Sequence, residues 1–242
     1  MQSRKFFSDE LKRLRQDILT MAIKAEENLG KALAALRIYS ETSNTAGNRA
    51  GGTGNTEPAS AVRAGDDEID ALQYKIEDDA AILIATQQPV ARDLREMVTI
   101  FKITGNIERI GDYAVHLAKA AKRLSKKGGT PFRAREHLEK MAHTGQVMIH
   151  AAISAYMAQD SQAARDAAAM DNIIDSEHKI LTENILRQMK KTPGLAKNAR
   201  SAKAAYQILN TSNQLERLGD HITNICEAVI YMAEGRHEEL NE

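Results

Sequence analysis

The seven residues Asn106-Ile-Glu-Arg-Ile-Gly-Asp112 return 108 positions later as Gln214-Leu-Glu-Arg-Leu-Gly-Asp220. In the same register Leu117 falls on Ile225 and Ala120 on Ala228. Earlier in each half, Asp66, Ile69 and Asp70 fall on Asp171, Ile174 and Asp175, at a shift of 105. Such a repeat constrains the fold strongly, because it requires one supersecondary unit to be built twice.

Composition says what the unit is. The chain has 242 residues, 37 of them Ala, with 4 Pro, no Trp and 4% aromatic residues. Ala loses no side-chain entropy in a helix, whereas sandwiches and barrels need β-branched and aromatic residues and many turns. The expectation is all-α. The prolines, Pro58, Pro89, Pro131 and Pro193, interrupt no helical apolar pattern and read as punctuation.

A first helix is predicted over about Ser8–Tyr39, with Leu11, Leu14, Ile18, Met21, Ala25, Leu29 and Leu36 on one stripe. A second runs over about Glu57–Thr86, with Ile69, Leu72, Ile76, Ile82 and Leu83 facing in, and a third over about Val90–Ser125. Lys126-Lys127-Gly128-Gly129 stops the third. The pattern then restarts. A fourth helix opens at Pro131 and runs to about Ala158, a fifth begins near the N-cap Asp160 and ends before Pro193-Gly194, and a sixth runs from about Leu195 to Ala233, ended by Gly235. The reading is two tandem, pseudo-symmetric three-helix bundles, 1–127 and 128–242. The first half carries about 12 extra residues between Tyr39 and Asp66. They are rich in Gly, Ser, Thr and Asn, and 41–56 is expected to be a mobile surface insertion.

Charge and cysteine content exclude other classes. Lys+Arg and Asp+Glu are both 33, so no basic footprint for nucleic acid exists at the level of the whole chain. The single Cys226 makes neither an internal disulfide nor a thiolate zinc site, and it reads as a small core residue rather than a nucleophile. The longest apolar run, Ala80–Ala85, is far short of the roughly 20 residues that span a bilayer. The N-terminus lacks the apolar stretch of a signal peptide. The expectation is a soluble, cytoplasmic protein that inserts in no membrane.

Acidic pairs at i, i+4 include Asp66/Asp70, Glu108/Asp112, Asp171/Asp175 and Glu216/Asp220. Chance alone gives roughly four to five such pairs in a chain this acidic. The signal is their placement, one per equivalent helix in both halves. If helices two and three form a hairpin with its apex near Gln88, Asp66 and Asp70 lie about 22 and 18 residues before it, and Glu108 and Asp112 about 20 and 24 after it. At about 1.5 Å per residue the two pairs share one level. The second half levels in the same way about an apex near Leu195. Four carboxylates would converge in each bundle. Like charges at this spacing repel, and partial burial adds to the cost. A hard or borderline cation such as magnesium, manganese, iron or zinc would relieve both. His116, Asn224 and His178, one turn on, are possible extra ligands. The competing reading is a solvated acidic face paired with Arg109, Arg217 and nearby lysines. Gly111 and Gly219 bear on the choice. A glycine inside a helix costs about 1 kcal/mol relative to Ala, so its repetition beside each acidic site points either to close backbone packing there or to a relic of duplication.

Other candidates are weaker. His137, His143 and His150 read as surface or boundary residues of helix four. Arg92 and Arg95, at a helix start after Pro89, could meet an anion, but a solvated or salt-bridged role fits better. No phosphate-cradling Gly loop and no nucleotide motif is present.

The segments QQPVARDLR (87–95), NIERIGDYAVHLAK (106–119) and LERLGDHITNICEAVIYM (215–232) together resemble the PhoU family, in register in both halves from about Phe7 to Met232. The resemblance implies two similar three-helix bundles carrying multinuclear clusters of iron, zinc, or magnesium and manganese. The matching positions here are Asp66, Asp70, Glu108, Asp112, Asp171, Asp175, Glu216 and Asp220. It implies a non-enzymatic regulator of phosphate uptake, often a homodimer. Its partners would be the ATP-binding subunit of the phosphate ABC transporter and a sensor histidine kinase, and it would repress the phosphate regulon. Two departures stand out. His116 occupies a place where the family usually has Asn, as Asn224 does in the second half, and the 41–56 insertion is unusual. The alternative class, a ferritin-like di-metal carboxylate protein that oxidises or stores iron, wants two Glu-x-x-His motifs. The nearest match here is Asp175-x-x-His178, present once.

Overall fold

The computed structural model describes residues 2–44, 57–125 and 132–240. All its regular elements are α-helices: α1 (Gln2–Asn44), α2 (Glu57–Gln87), α3 (Arg92–Ser125), α4 (Arg135–Ala158), α5 (Ser161–Ala168), α6 (Asp171–Lys191), α7 (Pro193–Lys197) and α8 (Ala199–Glu234). No strand occurs among the described residues. The all-α expectation holds.

The stripe predicted for α1 is buried throughout, from Leu11 to Leu36. α1 also extends to Asn44, so 41–44 are helical rather than part of a loop. The rest of the expected insertion, 45–56, lies outside the described residues, as do the Lys126–Gly129 stop, Pro131 and the boundary at 127/128. On α2 the buried stripe is Val62, Ile69, Ile76, Ala80 and Leu83. Ile82 is 61% exposed and Leu72 only half-buried, against expectation. Adjacent helical residues diverge by about 100°, so Ile82 cannot share the stripe that Leu83 occupies.

Several helix starts move for local reasons. α3 begins at Arg92 rather than Val90, because Ala91 sits at φ 48°, in the left-handed region. α4 begins after Ala134. The expected fifth helix is two. α5 starts from the Asp160 cap, whose carboxylate accepts from the amides of Gln162 and Ala163. It stops at Ala168, and α6 restarts at Asp171, across tight turns from Met170 N to Ala167 O and from Ile173 N to Met170 O. The expected sixth helix is likewise divided. Asn198 caps α8 by accepting from Arg200 N and Ser201 N at 2.9 and 3.2 Å. Gly235, at φ 75°, closes α8 by donating its amide to Tyr231 O.

α1, α2 and α3 pack on one another, and α4, α6 and α8 do the same, with α5 filed along α4 and α8. The two bundles join along two seams, α3 against α8 and α1 against α4. One hydrophobic core runs through both halves. Within it the Arg15 guanidinium of α1 meets the Glu96 carboxylate of α3 at 2.5 Å. Cys226 is fully buried, and burial pushes its thiol up to about 12, which suits a core residue and not a nucleophile.

Candidate metal centres

α2 and α3 bring Asp66, Asp70, Glu108 and Asp112 together in the first half. α6 and α8 do the same for Asp171, Asp175, Glu216 and Asp220. Their proximity shows in their ionisation. Burial raises Asp66 to about 6, and the Asp112 and Asp70 charges add to the shift. Burial raises Asp171 to about 7, reinforced by Asp175, Asp220 and Glu216. Asp70, Glu108, Asp175, Glu216 and Asp220 all lie above the ordinary carboxylate range, each through burial first. For Asp70, Glu108, Asp175 and Glu216 a neighbouring carboxylate of the same cluster adds to the shift. In each half, carboxylates of the two helices therefore lie within electrostatic reach of one another.

The solvated-face reading describes only part of this arrangement. Arg109 does pair with Glu108 and Asp112, both at 3.5 Å. Asp66 and Asp171, however, are only 7% and 6% exposed, and each has a buried Oδ1 with no hydrogen-bond partner. An unsatisfied buried carboxylate oxygen is costly, and here the same atom is unsatisfied in both halves. The two glycines explain where these side chains go. A Cβ on Gly111 would lie 2.9 Å from Asp66 Oδ1, and a Cβ on Gly219 would overlap Asp171 Oδ1 and stand 3.0 Å from its Cγ. Each carboxylate lies in the gap that a helical glycine leaves, so the repeated glycines reflect close packing at the site.

As placed, no three His, Cys, Asp or Glu side chains among the described residues converge to hold one metal ion. The carboxylates are near enough to raise one another's pKa and stand apart from one another. The donor set itself, four carboxylates per half with one buried oxygen unpartnered, suits a hard or borderline cation that would neutralise it.

Around this repeat the two sites differ. Thr223 donates to Asp171 Oδ2 at 3.4 Å, whereas its counterpart Val115 has no hydroxyl. His178 Nδ1 lies 2.8 Å from Ser212 Oγ. His116 is exposed, with its ring edge-on to Tyr113 at 6.2 Å. Asn224 is half-buried one turn beyond Asp220. Across the α3–α8 seam, His221 Nδ1 lies 2.9 Å from Asn106 Oδ1 and its ring 5.6 Å from that of Tyr113. Burial, with Arg109 and Arg217, holds His221 below its usual value.

Sequence reasoning missed Ser212 and Thr223. Each sits within one helical turn of an acidic ligand candidate on α8, and that spacing was the available signal. It also missed Asn28, whose amide donates to Val62 O at 3.0 Å and whose side chain fills the space where a Cβ on Gly65 would stand. Of the other candidates, His137 is half-buried and meets Glu177 Oε2 at 2.6 Å, while His143 and His150 are exposed. Arg92 donates to Gln159 Oε1 at 2.6 Å, tying the start of α3 to the end of α4.

Fold and sites together define a class: a duplicated all-α bundle with one four-carboxylate cluster in each half. The PhoU domain family model matches residues 18–121 and again 138–229. A phosphate-specific transport system accessory protein PhoU homolog from Clostridium acetobutylicum is 31% identical over 241 residues, covering 99% of this chain and all of that one. Another, from Caulobacter vibrioides, is 35% identical over 182 residues, 75% of each chain. The crystal structure of PhoU from Pseudomonas aeruginosa superposes with a TM-score of 0.81 at 29% identity, covering 95% of this chain and all of that one. The chain belongs to the PhoU family.

Proposed function

We propose that this chain is a non-enzymatic accessory protein of a phosphate transport system. In this reading it is a cytoplasmic helical adaptor that binds metal ions in its two carboxylate clusters. It docks on the ATP-binding subunit of the phosphate ABC transporter and on a sensor histidine kinase, and so represses the phosphate-starvation response when phosphate is plentiful. It acts as a homodimer. No helix of the described residues is long and apolar enough to cross a membrane, so contact with the transporter would run through its peripheral subunit.

The observation that carries the metal part of this reading is the matched pair of buried, unpartnered oxygens, Asp66 Oδ1 and Asp171 Oδ1, each within electrostatic reach of other carboxylates of its half. A bound cation would supply charge neutralisation and tie α2 to α3 and α6 to α8. Asp66, Asp70, Glu108 and Asp112 would hold it in one half, and Asp171, Asp175, Glu216 and Asp220 in the other. The transport part rests on the names of the full-length relatives.

Two measurements test the proposal. Deleting the gene should leave phosphate-repressed genes switched on in high phosphate, with repression restored by the intact chain; normal repression in the deletion strain overturns the regulatory reading. Metal content per purified chain should be stoichiometric and fall by about half in Asp112→Ala and in Asp220→Ala. Metal content that neither substitution changes overturns the assignment of ligands.

A further inference from the structure

We propose that the surface shared by α5 and the last turns of α8 is a docking site for an extended acidic segment, a glutamate followed two residues on by a leucine. The chain's own residues 236–240 occupy it until a partner protein carrying such a segment displaces them. Tyr231, on this surface, lies about three helical turns beyond Asp220 on α8, so the site is separate from the carboxylate clusters.

The argument starts from Arg165 of α5, whose guanidinium is engaged along two edges. Nη1 and Nη2 donate to Glu234 Oε1 and Oε2 at 2.9 and 3.1 Å, while Nε and Nη2 donate to Glu238 Oε1 and Oε2 at 2.9 and 2.6 Å. The two carboxylates differ in origin. Glu234 is the last residue of α8, whereas Glu238 follows Gly235, where the chain leaves the helix at φ 75°. With 236–240 lifted away, Glu234 still holds the guanidinium, and its Nε–Nη2 edge stays presented. A planar fork fixed in this way is a preorganised receptor for a second carboxylate.

Further contacts read the rest of the segment. Glu227 Oε1 accepts the backbone amide of Leu240 at 2.8 Å, and the Leu240 side chain packs, partly buried, on the hydrophobic core. The ring of His237 stacks on Tyr231 with centroids 4.2 Å apart, and Lys102 of α3 stands 5.5 Å from the same Tyr231 ring. Glu238 and Leu240 are half-buried while His237 and Glu239 are exposed, the alternation of an extended segment.

This tail is held as a ligand is held. Among the described residues no backbone–backbone hydrogen bond reaches 236–240, and the segment belongs to no regular element. Its anchors are surface ion pairs, which are individually weak, and one aliphatic side chain. Arg236, which pairs with Glu234 at 2.8 Å, leaves with the tail. A segment from another protein with the same glutamate and leucine meets the same partners. The short tether gives the tail an effective concentration of roughly millimolar, which a displacing partner must outcompete.

The test uses the full chain and a capped peptide, Arg-His-Glu-Glu-Leu, that copies residues 236–240. Binding is read by NMR from the backbone amides of α5 and the end of α8. In the double variant Glu238→Ala with Leu240→Ala the tail loses its anchors, and the peptide should half-saturate this chain at a concentration at least about tenfold lower than the wild type. Adding Arg165→Ala should remove that binding. A peptide with Gln and Ala in place of its first Glu and its Leu should not bind the opened chain. Equal affinity for wild type and double variant overturns the proposal, as does no binding to the double variant at millimolar peptide. Binding that survives Arg165→Ala, or that the altered peptide reproduces, overturns it as well. So does a double variant that circular dichroism shows to be unfolded, because the tail would then be part of the structure and not a removable cover.

Discussion

Gly219→Ala should change the sign of its effect with the residue at position 171. An alanine in mid-helix is favoured over glycine by about 1 kcal/mol. At position 219 that gain is opposed, because the new Cβ would overlap Asp171 Oδ1, stand 3.0 Å from its Cγ and lie 3.2 Å from Ile174 Cδ1. Forcing an extra carbon into a packed site costs about 1–3 kcal/mol. Gly219→Ala alone should therefore range from neutral to about 2 kcal/mol destabilising. In an Asp171→Ala background the overlapping carboxylate is gone, and Ile174 need yield only a few tenths of an ångström. The same substitution should then stabilise by up to about 1 kcal/mol. The assay is urea denaturation of the four proteins of this cycle, metal-free and at one pH, comparing midpoints at constant m-value. A coupling below about 0.5 kcal/mol, or Gly219→Ala stabilising both backgrounds alike, would refute the idea that the glycine exists to admit the carboxylate. Gly111→Ala should show the same pattern more weakly, since its Cβ meets Asp66 Oδ1 at 2.9 Å.

Metal-free protein should lose stability as the pH rises from about 4 to 7. A carboxyl whose folded pKa lies above its unfolded value binds its proton more tightly when folded, and that advantage fades as the pH climbs from the unfolded to the folded value. For Asp66 the interval runs from 3.8 to about 6 and for Asp171 from 3.8 to about 7, so each contributes on the order of 3 to 4 kcal/mol at most. Denaturation midpoints in chelator that stay flat or rise over this interval would contradict it, and saturating cation should reduce the decline. Arg15→Met leaves the buried Glu96 carboxylate without its 2.5 Å partner and should cost about 3–5 kcal/mol in thermal or chemical unfolding. Asn198→Ala removes the acceptor for two amides at the start of α8 and should cost about 1 kcal/mol by the same assay.

The repeat made much of this legible. Two runs of Glu-Arg-x-Gly-Asp, with acidic pairs at matching distances from each hairpin apex, assign four of the eight carboxylates to each half, the same division that α2 with α3 and α6 with α8 make. The glycines flagged close packing because their propensity cost was visible in the sequence. The break between α5 and α6 left no such trace. Ala167-Ala168-Ala169-Met170 contains neither glycine nor proline, and every residue in it is a competent helix former, so the turn there is a tertiary choice. Ile82 was misplaced because two neighbouring isoleucine and leucine side chains cannot both be assigned to a stripe without knowing the helix phase. The tie between Ser212 and His178 spans 34 residues and two helices, and only the packing of α6 on α8 brings it about.

The seams between the halves have an evolutionary consequence. α3 and α8 each carry half of a carboxylate cluster on one side while serving as the wall against which the other bundle closes. A gene duplication that began as two interchangeable units has thus become a single object with shared foundations. Substitutions on either helix answer to two neighbours at once. The helices α2 and α6, which carry the other half of each cluster, pack mainly within their own bundles and answer to fewer masters. The twin sites have parted company on the shared helices all the same, with Thr223 and Asn224 on α8 where α3 has Val115 and His116, so a common wall has not kept the two centres alike.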